Sequence, residues 1–179
     1  MFLVYRPTNL FNGYVFTVRF LDAYKREGIK FWGLTTGNEP IHGLTFSLFN
    51  NLGFTPSQSR DFIKKDLGPT LEQAGYWPGL KIMMLDDQLP LAPIWMPKVL
   101  GDPEAAKYVA GIGFHWYMTN FLARIFQDRL HNQYPDVFWL STEACEGYRW
   151  ILDPSKSESL SAGISSNLIL FDLRKSDPR

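Results

Sequence analysis

The segment Lys81-Ile-Met-Met-Leu-Asp-Asp-Gln88 is the clearest indication of the fold class. A strand is predicted over Lys81–Leu85, because a short apolar run without alternation is typical of a strand buried on both faces of a parallel sheet. Polar residues follow it at once. The same pattern recurs at Ile29–Leu34, Ile112–Tyr117 and Val137–Leu140. The sequence therefore predicts a set of short buried strands, each ending in polar side chains.

Helix-forming stretches separate these strands. They are predicted at 17–28, 55–75, 102–111 and 121–134, with a weaker one near 160–171. The clearest begins at Thr55, a candidate N-cap that precedes Pro56 and has Gln58 in the capping-box position. Pro69 is expected to kink or divide this helix. The helix at 121–134 is expected to bury a face formed by Phe121, Ile125, Phe126 and Leu130.

The alternation of strands and helices predicts an α/β fold with a parallel sheet. In such folds ligands bind at the carboxyl ends of the strands. A complete eight-stranded barrel needs at least about 200 residues, and this chain has 179. We therefore predict a partial (β/α)8 barrel of about four units over 17–179, with an unmatched leader over 1–16 that lacks clear periodicity.

Charge and composition exclude several classes of function. The 18 basic residues balance the 18 acidic ones without a basic stripe, which argues against a nucleic-acid partner. The single Cys145 cannot form an internal disulfide and is interpreted as an inert thiol. No secretory signal and no transmembrane run is predicted from the sequence as it stands.

Two glutamates directly follow predicted strands. Glu39 and Glu143 have the residue type and placement that glycoside hydrolysis requires, in which one carboxyl protonates the leaving oxygen and the other attacks or activates water. Pro40 disfavours helix at Glu39 and would hold it extended. Two alternatives remain open: the Asn-Glu-Pro segment is simply a turn, or Glu146 takes the place of Glu143.

Other polar residues at the strand ends allow more than one interpretation. Asp86 and Asp87 either bind a sugar hydroxyl or a cation, or form a hydrogen-bonded structural pair. His115 has no second His or Cys at ligand spacing, so no metal site is predicted. Trp116 and Tyr117 either line a pocket or belong to the core.

Several ordered motifs resemble the glucosylceramidases (acid β-glucosidases) of glycoside hydrolase family 30. They include Phe20-Leu-Asp-Ala-Tyr24, Phe31-Trp-Gly-Leu-Thr-Thr-Gly-Asn-Glu-Pro40, Met84-Leu-Asp-Asp-Gln88, His115-Trp-Tyr117 and Glu143-Ala-Cys145. The resemblance runs from about Thr17 to Tyr148. It implies a partial chain containing strands 4–7 of a (β/α)8 barrel, and a retaining β-glucosidase that hydrolyses glucosylceramide to glucose and ceramide.

The resemblance also implies a role for individual residues. Glu39 would be the acid/base and Glu143 the nucleophile, and Tyr117 would hydrogen-bond the nucleophile. The residues expected to contact or border the substrate are Asn38, Phe49, Asp87, Trp116 and Tyr117. No cofactor is expected. The expected partners are a glycosphingolipid at a membrane surface and a saposin-type activator, in the lysosome.

The chain departs from the family pattern at several points. The first three strands, the eighth strand and the attached β-domain have no counterpart, and Gly37, Asn51 and Thr142 differ from the usual residues. Two interpretations follow. The chain is a fragment of an active glucosylceramidase-like hydrolase, or it is a catalytically dead truncated paralogue that acts as a binding or oligomerising remnant.

Overall fold

The fold is taken from a computed structural model, which describes residues 3–4, 11–45, 52–118 and 121–143. Only the backbone is described at 3–4, 11–15 and 121–124. Several predictions lie outside these residues: those for Phe49, Asn51, Cys145, Glu146 and the helix near 160–171.

The described elements alternate between strand and helix. The strands are β1 (Leu3–Val4), β2 (Gly33–Thr35), β3 (Leu52–Gly53), β4 (Lys81–Gln88), β5 (Val109–His115) and β6 (Phe138–Glu143). The α-helices are α1 (Phe11–Arg26), α2 (Pro56–Phe62), α3 (Gly68–Gln73), α4 (Ala92–Leu100), α5 (Pro103–Ala106) and α6 (Phe121–Gln133). None of the helices described is long and apolar enough to cross a bilayer.

Four parallel strands form the main sheet, in the order β2-β4-β5-β6. This arrangement confirms the predicted α/β fold and the partial barrel. The central strand β4 is buried at seven of its eight positions, as expected for a strand covered on both faces. A hydrophobic core extends from this sheet to the surrounding helices and includes Leu71, Ile82, Met84, Trp95, Met96 and Ile112.

The helix that was predicted to start at Thr55 has the expected capping box. The Thr55 hydroxyl oxygen accepts the Gln58 N–H at 3.2 Å, and Gln58 Oε1 accepts the Thr55 N–H at 2.9 Å. The predicted division of this helix is also confirmed, because a π-helical turn at Ile63–Leu67 separates α2 from α3 and Pro69 lies in the first turn of α3.

Some predicted boundaries are wrong. Helix α1 begins at Phe11 and not at Thr17, so residues predicted as an irregular leader form its first turns. Strand β2 is shorter than predicted, and β5 begins at Val109. Gly111 therefore lies inside β5 and does not end a helix. A Cβ atom at Gly111 would lie 2.3 Å from the Phe138 ring, so glycine permits the close packing of β5 on β6.

Two helices differ from the prediction in other ways. Helix α4 is not predicted from the sequence. Of its two prolines, Pro93 lies in the first turn, where proline is tolerated, and Pro97 lies inside the helix. In α6 the predicted buried face is wrong in part. Leu130 is buried, but Ile125 and Phe126 are exposed by 49% and 44%. Gln127, three residues before Leu130 and on the same face of the helix, is buried as well.

Candidate active site

Polar side chains meet where the strands of the main sheet end. The register pairs Gln88 of β4 with His115 of β5, and His115 with Glu143 of β6. These three residues therefore form one row across the carboxyl edge of the sheet. Glu39 joins the row from the loop that follows β2. The sequence prediction that polar residues collect at this edge is confirmed.

The loop carrying Glu39 is fastened to β4. The Thr36 N–H donates to the Met83 carbonyl at 3.1 Å, and the Glu39 N–H donates to the Asp86 carbonyl at 2.9 Å. The backbone of Glu39 adopts a left-handed conformation, with φ of +43°. This conformation costs a residue with a side chain roughly 1–2 kcal/mol, and the extended backbone expected from Pro40 is not what the structure shows. The surrounding hydrogen bonds hold Glu39 in this turn.

The Glu39 carboxylate is buried and surrounded by hydrogen-bonding groups. Its Oε1 accepts from the Gln88 amide at 3.1 Å and lies 3.0 Å from His115 Nδ1. Its Oε2 lies 2.7 Å from His42 Nδ1. Only 5% of Glu39 is exposed. The glutamate is thus held in one orientation, and neither Gln88 nor His42 was predicted to take part.

Glu143 is more accessible and faces the same centre. Its Oε1 accepts the Tyr117 hydroxyl at 2.7 Å, and its Oε2 lies 3.8 Å from His115 Nε2. One carboxylate oxygen of Glu39, one of Glu143 and one ring nitrogen of His115 all lie within 4.8 Å of one another. The structure therefore brings carboxylate oxygens of the two glutamates predicted from sequence within 4.8 Å of each other.

His115 lies between the acidic groups and is almost completely buried, with 1% exposed. Its Nε2 is 3.4 Å from Asp86 Oδ1. Burial alone would lower the pKa of His115, but its hydrogen bonds to Asp86 and Glu39 and the negative charge of Glu143 outweigh burial and raise the pKa above the usual 6.5. The neighbouring acidic groups thus shift His115 toward its imidazolium form.

Asp86 is the partner of His115 and is held by two hydroxyl groups. Thr35 donates to Oδ2 and Thr142 donates to Oδ1, each at 2.6 Å. Burial would raise the pKa of Asp86, but hydrogen bonds from His115, Thr142 and Thr35 together lower it below the usual 3.8. Of the two interpretations left open for Asp86, the structure favours the hydrogen-bonded structural role.

Asp87 also has a structural place in this conformation. It has no exposed surface, and its oxygens accept the Gln88 N–H at 2.7 Å and the Ile41 N–H at 3.1 Å. Burial raises the pKa of Asp87, the two backbone hydrogen bonds oppose that rise, and the charge of Glu39 adds to it. The described geometry thus does not favour the expected contact between Asp87 and a sugar hydroxyl. Asp87 instead supports the turn that carries Glu39.

Replacing Asp87 by Ala is expected to lower the free energy of unfolding by about 1–3 kcal/mol, because the N–H donors of Ile41 and Gln88 lose their acceptor oxygens. Urea denaturation of the purified chain measures this change. Asp87→Asn keeps one acceptor oxygen and should lose less. Equal stability of Asp87→Ala and the unsubstituted chain would contradict the supporting role.

The remaining predicted residues lie near the centre or beyond the described part. Asn38 is exposed on the same loop as Glu39, and Tyr117 contacts Glu143. Trp116 is half-buried, with its ring centre 5.4 Å from that of Tyr117. The Trp116 indole N–H is buried and has no hydrogen-bond partner among the described residues. From the sequence, Trp116 is expected either to line a pocket or to belong to the core.

The same centre has the composition of a possible metal site. Glu39, His115 and Glu143 each offer one ligand atom within 4.8 Å of the others, and carboxylate plus imidazole can bind a divalent ion. These side chains also contact one another and Tyr117, Gln88 and His42, and those contacts account for their placement without an ion.

Comparison with known proteins decides the family. The profile of the glycosyl hydrolase family 30 TIM-barrel domain matches residues 8–165. The chain belongs to glycoside hydrolase family 30. A relative of this family 30 chain, the lysosomal acid glucosylceramidase of Mus musculus, is 48% identical over 136 residues, or 74% of this chain and 26% of the mouse protein.

Further relatives agree with this assignment. Putative glucosylceramidase 4 of Caenorhabditis elegans is 44% identical over 132 residues, which is 73% of this chain and 25% of the nematode protein. Among solved structures, the endo-β1,6-glucanase BT3312 has a TM-score of 0.70 and 27% identity, covering 82% of this family 30 chain and 32% of the glucanase. SrfJ from Salmonella typhimurium has a TM-score of 0.73 at 21% identity, covering 89% and 33%, and shows the shared fold alone.

The family 30 chain spans about a quarter of the length of the curated relatives it matches. The family match begins at residue 8, and helix α1 begins at Phe11.

Proposed function

We propose that this chain carries the catalytic carboxyl pair of a retaining β-glucosidase whose substrate is glucosylceramide. The observation that carries the proposal is the placement of Glu39 and Glu143 across one gap, with carboxylate oxygens within 4.8 Å of each other. Retaining glycosidases hold their two carboxyl groups about 5–5.5 Å apart, whereas inverting enzymes need about 6.5–9.5 Å to admit a water. The separation therefore favours retention.

Glu143 is proposed as the nucleophile. It is the more accessible of the two glutamates, and the Tyr117 hydroxyl that donates to Oε1 fixes the direction in which its carboxylate points. Its other oxygen is left to attack the anomeric carbon, which forms a glucosyl ester and breaks the glycosidic bond.

Glu39 is proposed as the acid/base. In the first step its protonated carboxyl gives a proton to the departing ceramide oxygen, and in the second its carboxylate takes a proton from the water that cleaves the ester. Two inversions at the anomeric carbon give retention. Gln88 and His42 keep the Glu39 carboxyl in place during both steps.

Sugar contacts are proposed for residues around the pair. We propose that Asn38, which is exposed beside Glu39, contacts a sugar hydroxyl. The indole N–H of Trp116, which has no partner among the described residues, is proposed as a donor to another. We infer the substrate class from the resemblance to lysosomal acid glucosylceramidase. A lysosomal location, a membrane-bound glycosphingolipid and a saposin-type activator are proposed on the same ground.

A second candidate is a catalytically inactive binding or oligomerising chain. The observation that favours it is the position of β2 and β6 at the two ends of the described main sheet, where neither has an outer partner strand among the described residues. Such edges offer unpaired backbone groups to another chain. An active site that is only partly enclosed also orients its substrate less well, and catalysis depends on that orientation.

The test uses the 179-residue chain and a chimera in which it replaces its aligned segment of the mouse lysosomal acid glucosylceramidase. We expect the chimera to hydrolyse a fluorogenic β-glucoside and glucosylceramide, and to release β-glucose first when the product is followed by proton NMR. The unmodified mouse protein and a fluorogenic α-glucoside are the controls. A folded chimera that is inert, or that releases α-glucose first, would contradict the proposal; an active chimera beside an inert, self-associating 179-residue chain would favour the second candidate for the chain alone.

A further inference from the structure

Asp86 and His115 form a buried pair that the proposed roles of the two glutamates do not explain. His115 is 1% exposed and Asp86 7% exposed. The His115 ring reaches Asp86 Oδ1 at 3.4 Å and Glu143 Oε2 at 3.8 Å through Nε2, and Glu39 Oε1 at 3.0 Å through Nδ1. One ring thus stands between three carboxyl groups from three parts of the fold.

The Asp86 carboxylate is fixed by hydroxyl groups from two other strands of the main sheet. The Thr35 hydroxyl of β2 holds Oδ2, and the Thr142 hydroxyl of β6 holds Oδ1. The pairing of β4 with β5 is irregular between Leu85 and Asp87, and the backbone of Asp86 has φ of +55°. A bulge of this kind redirects a side chain. At this bulge, Asp86 Oδ1 lies 3.4 Å from His115 Nε2.

We propose that Asp86 is a positioning residue that, through His115, holds Glu39 and Glu143 in the orientation that glycoside hydrolysis requires. The proposal rests on the proposed function. Asp86 fixes the plane of the His115 ring at Nε2, and that plane decides where Nδ1 meets Glu39. Because the same ring lies beside Glu143, both glutamates have one common support.

Acidic groups surround His115, so the way it holds the two glutamates depends on whether its own ring is protonated. The groups that face it are Asp86 from β4, Glu39 from the loop after β2, Glu143 from β6 and the Tyr117 ring at 6.1 Å. His42 lies on the far side of Glu39. An imidazolium donates from both ring nitrogens, whereas a neutral ring donates from one. The Asp86 carboxylate favours the imidazolium form of His115, which donates to Glu39 as well as to Asp86.

The first experiment needs no substrate. The full 179-residue chain is labelled with ¹⁵N, and the ring nitrogens of its three histidines are followed by NMR between pH 4 and 9. His42→Gln and His131→Gln assign the signals. We expect His115 to titrate above the usual 6.5, with both ring nitrogens protonated below its midpoint. A His115 that titrates at or below 6.5 would overturn the proposal, even if no variant folds.

The second experiment removes the charge of Asp86. In Asp86→Asn the midpoint of His115 is expected to move to lower pH while that of His131 stays unchanged, since only His115 loses a neighbouring anion. The matched control is Glu104→Gln, on the exposed face of α5, which should move neither. An unchanged His115 midpoint in folded Asp86→Asn would mean that Asp86 serves only Thr35 and Thr142, and the positioning role would be wrong.

The third experiment separates this proposal from the proposed function. In an active chimera, Asp86→Asn should lower kcat for a β-glucoside about 10- to 100-fold, as small misplacements of reacting groups do, with KM changed less than about twofold. Full kcat in an active Asp86→Asn chimera would overturn the positioning role. If the unsubstituted chimera is inert but the His115 midpoint falls as expected, the proposed function fails while the link between Asp86 and His115 stands.

Discussion

Glu143→Gln is expected to lower hydrolysis of β-glucosides by the chimera by at least about 10⁴-fold, the scale on which loss of a covalent nucleophile acts. The amide that replaces the carboxylate is nearly the same size and can still meet the Tyr117 hydroxyl, so the fold should be retained. The measurement is kcat/KM for a fluorogenic β-glucoside, beside the far-UV circular dichroism of both proteins.

Mass spectrometry provides a direct check on this assignment. A 2-fluoro β-glucoside with a good leaving group should leave a glucosyl ester on the unsubstituted chimera, and peptide mapping should place that ester on Glu143. Glu143→Gln should remain unlabelled, whereas the surface control Glu104→Gln should be labelled and fully active. An ester on another residue would show that Glu143 is not the nucleophile.

Glu39→Gln is expected to lower kcat about 10²- to 10⁴-fold for β-glucosides with poor leaving groups, the usual contribution of general acid–base catalysis. Glucosylceramide and alkyl glucosides belong to this class, because their departing oxygen needs a proton. The dinitrophenolate leaving group departs without a proton. Formation of the glucosyl ester should therefore remain fast, and hydrolysis of the ester should become the slow step.

Added azide tests the second half of the role of Glu39. A small anion needs no general base, so it should accelerate turnover of the dinitrophenyl glucoside by Glu39→Gln and yield a β-glucosyl azide. The unsubstituted chimera should not respond to azide. If Glu39→Gln hydrolyses alkyl and dinitrophenyl glucosides with equal losses, Glu39 is not the acid/base.

The strands and the general position of the site could be predicted because they depend on local patterns. Continuous apolar runs fixed the parallel sheet, and polar residues at the end of each run placed Glu39 and Glu143 at one edge. The capping box at Thr55 is equally local. These features need only neighbouring residues to be recognised.

The network around the two glutamates could not be predicted because it depends on geometry across strands. The register slip that accompanies the position of Asp86 beside His115 leaves no mark in composition, and the contact between Gly111 and Phe138 depends on how closely two strands pack. Gln88 was recognisable as a polar residue at a strand end, but its bond to Glu39 comes from a loop 49 residues away in sequence.

The left-handed backbone at Glu39 separates the stability of the turn from the direction of its side chain. At φ of +43°, glycine would remove the steric penalty that a side chain carries. Any other residue at this position therefore lowers the stability of the turn, and with glutamate there the turn gains a carboxyl group of fixed direction.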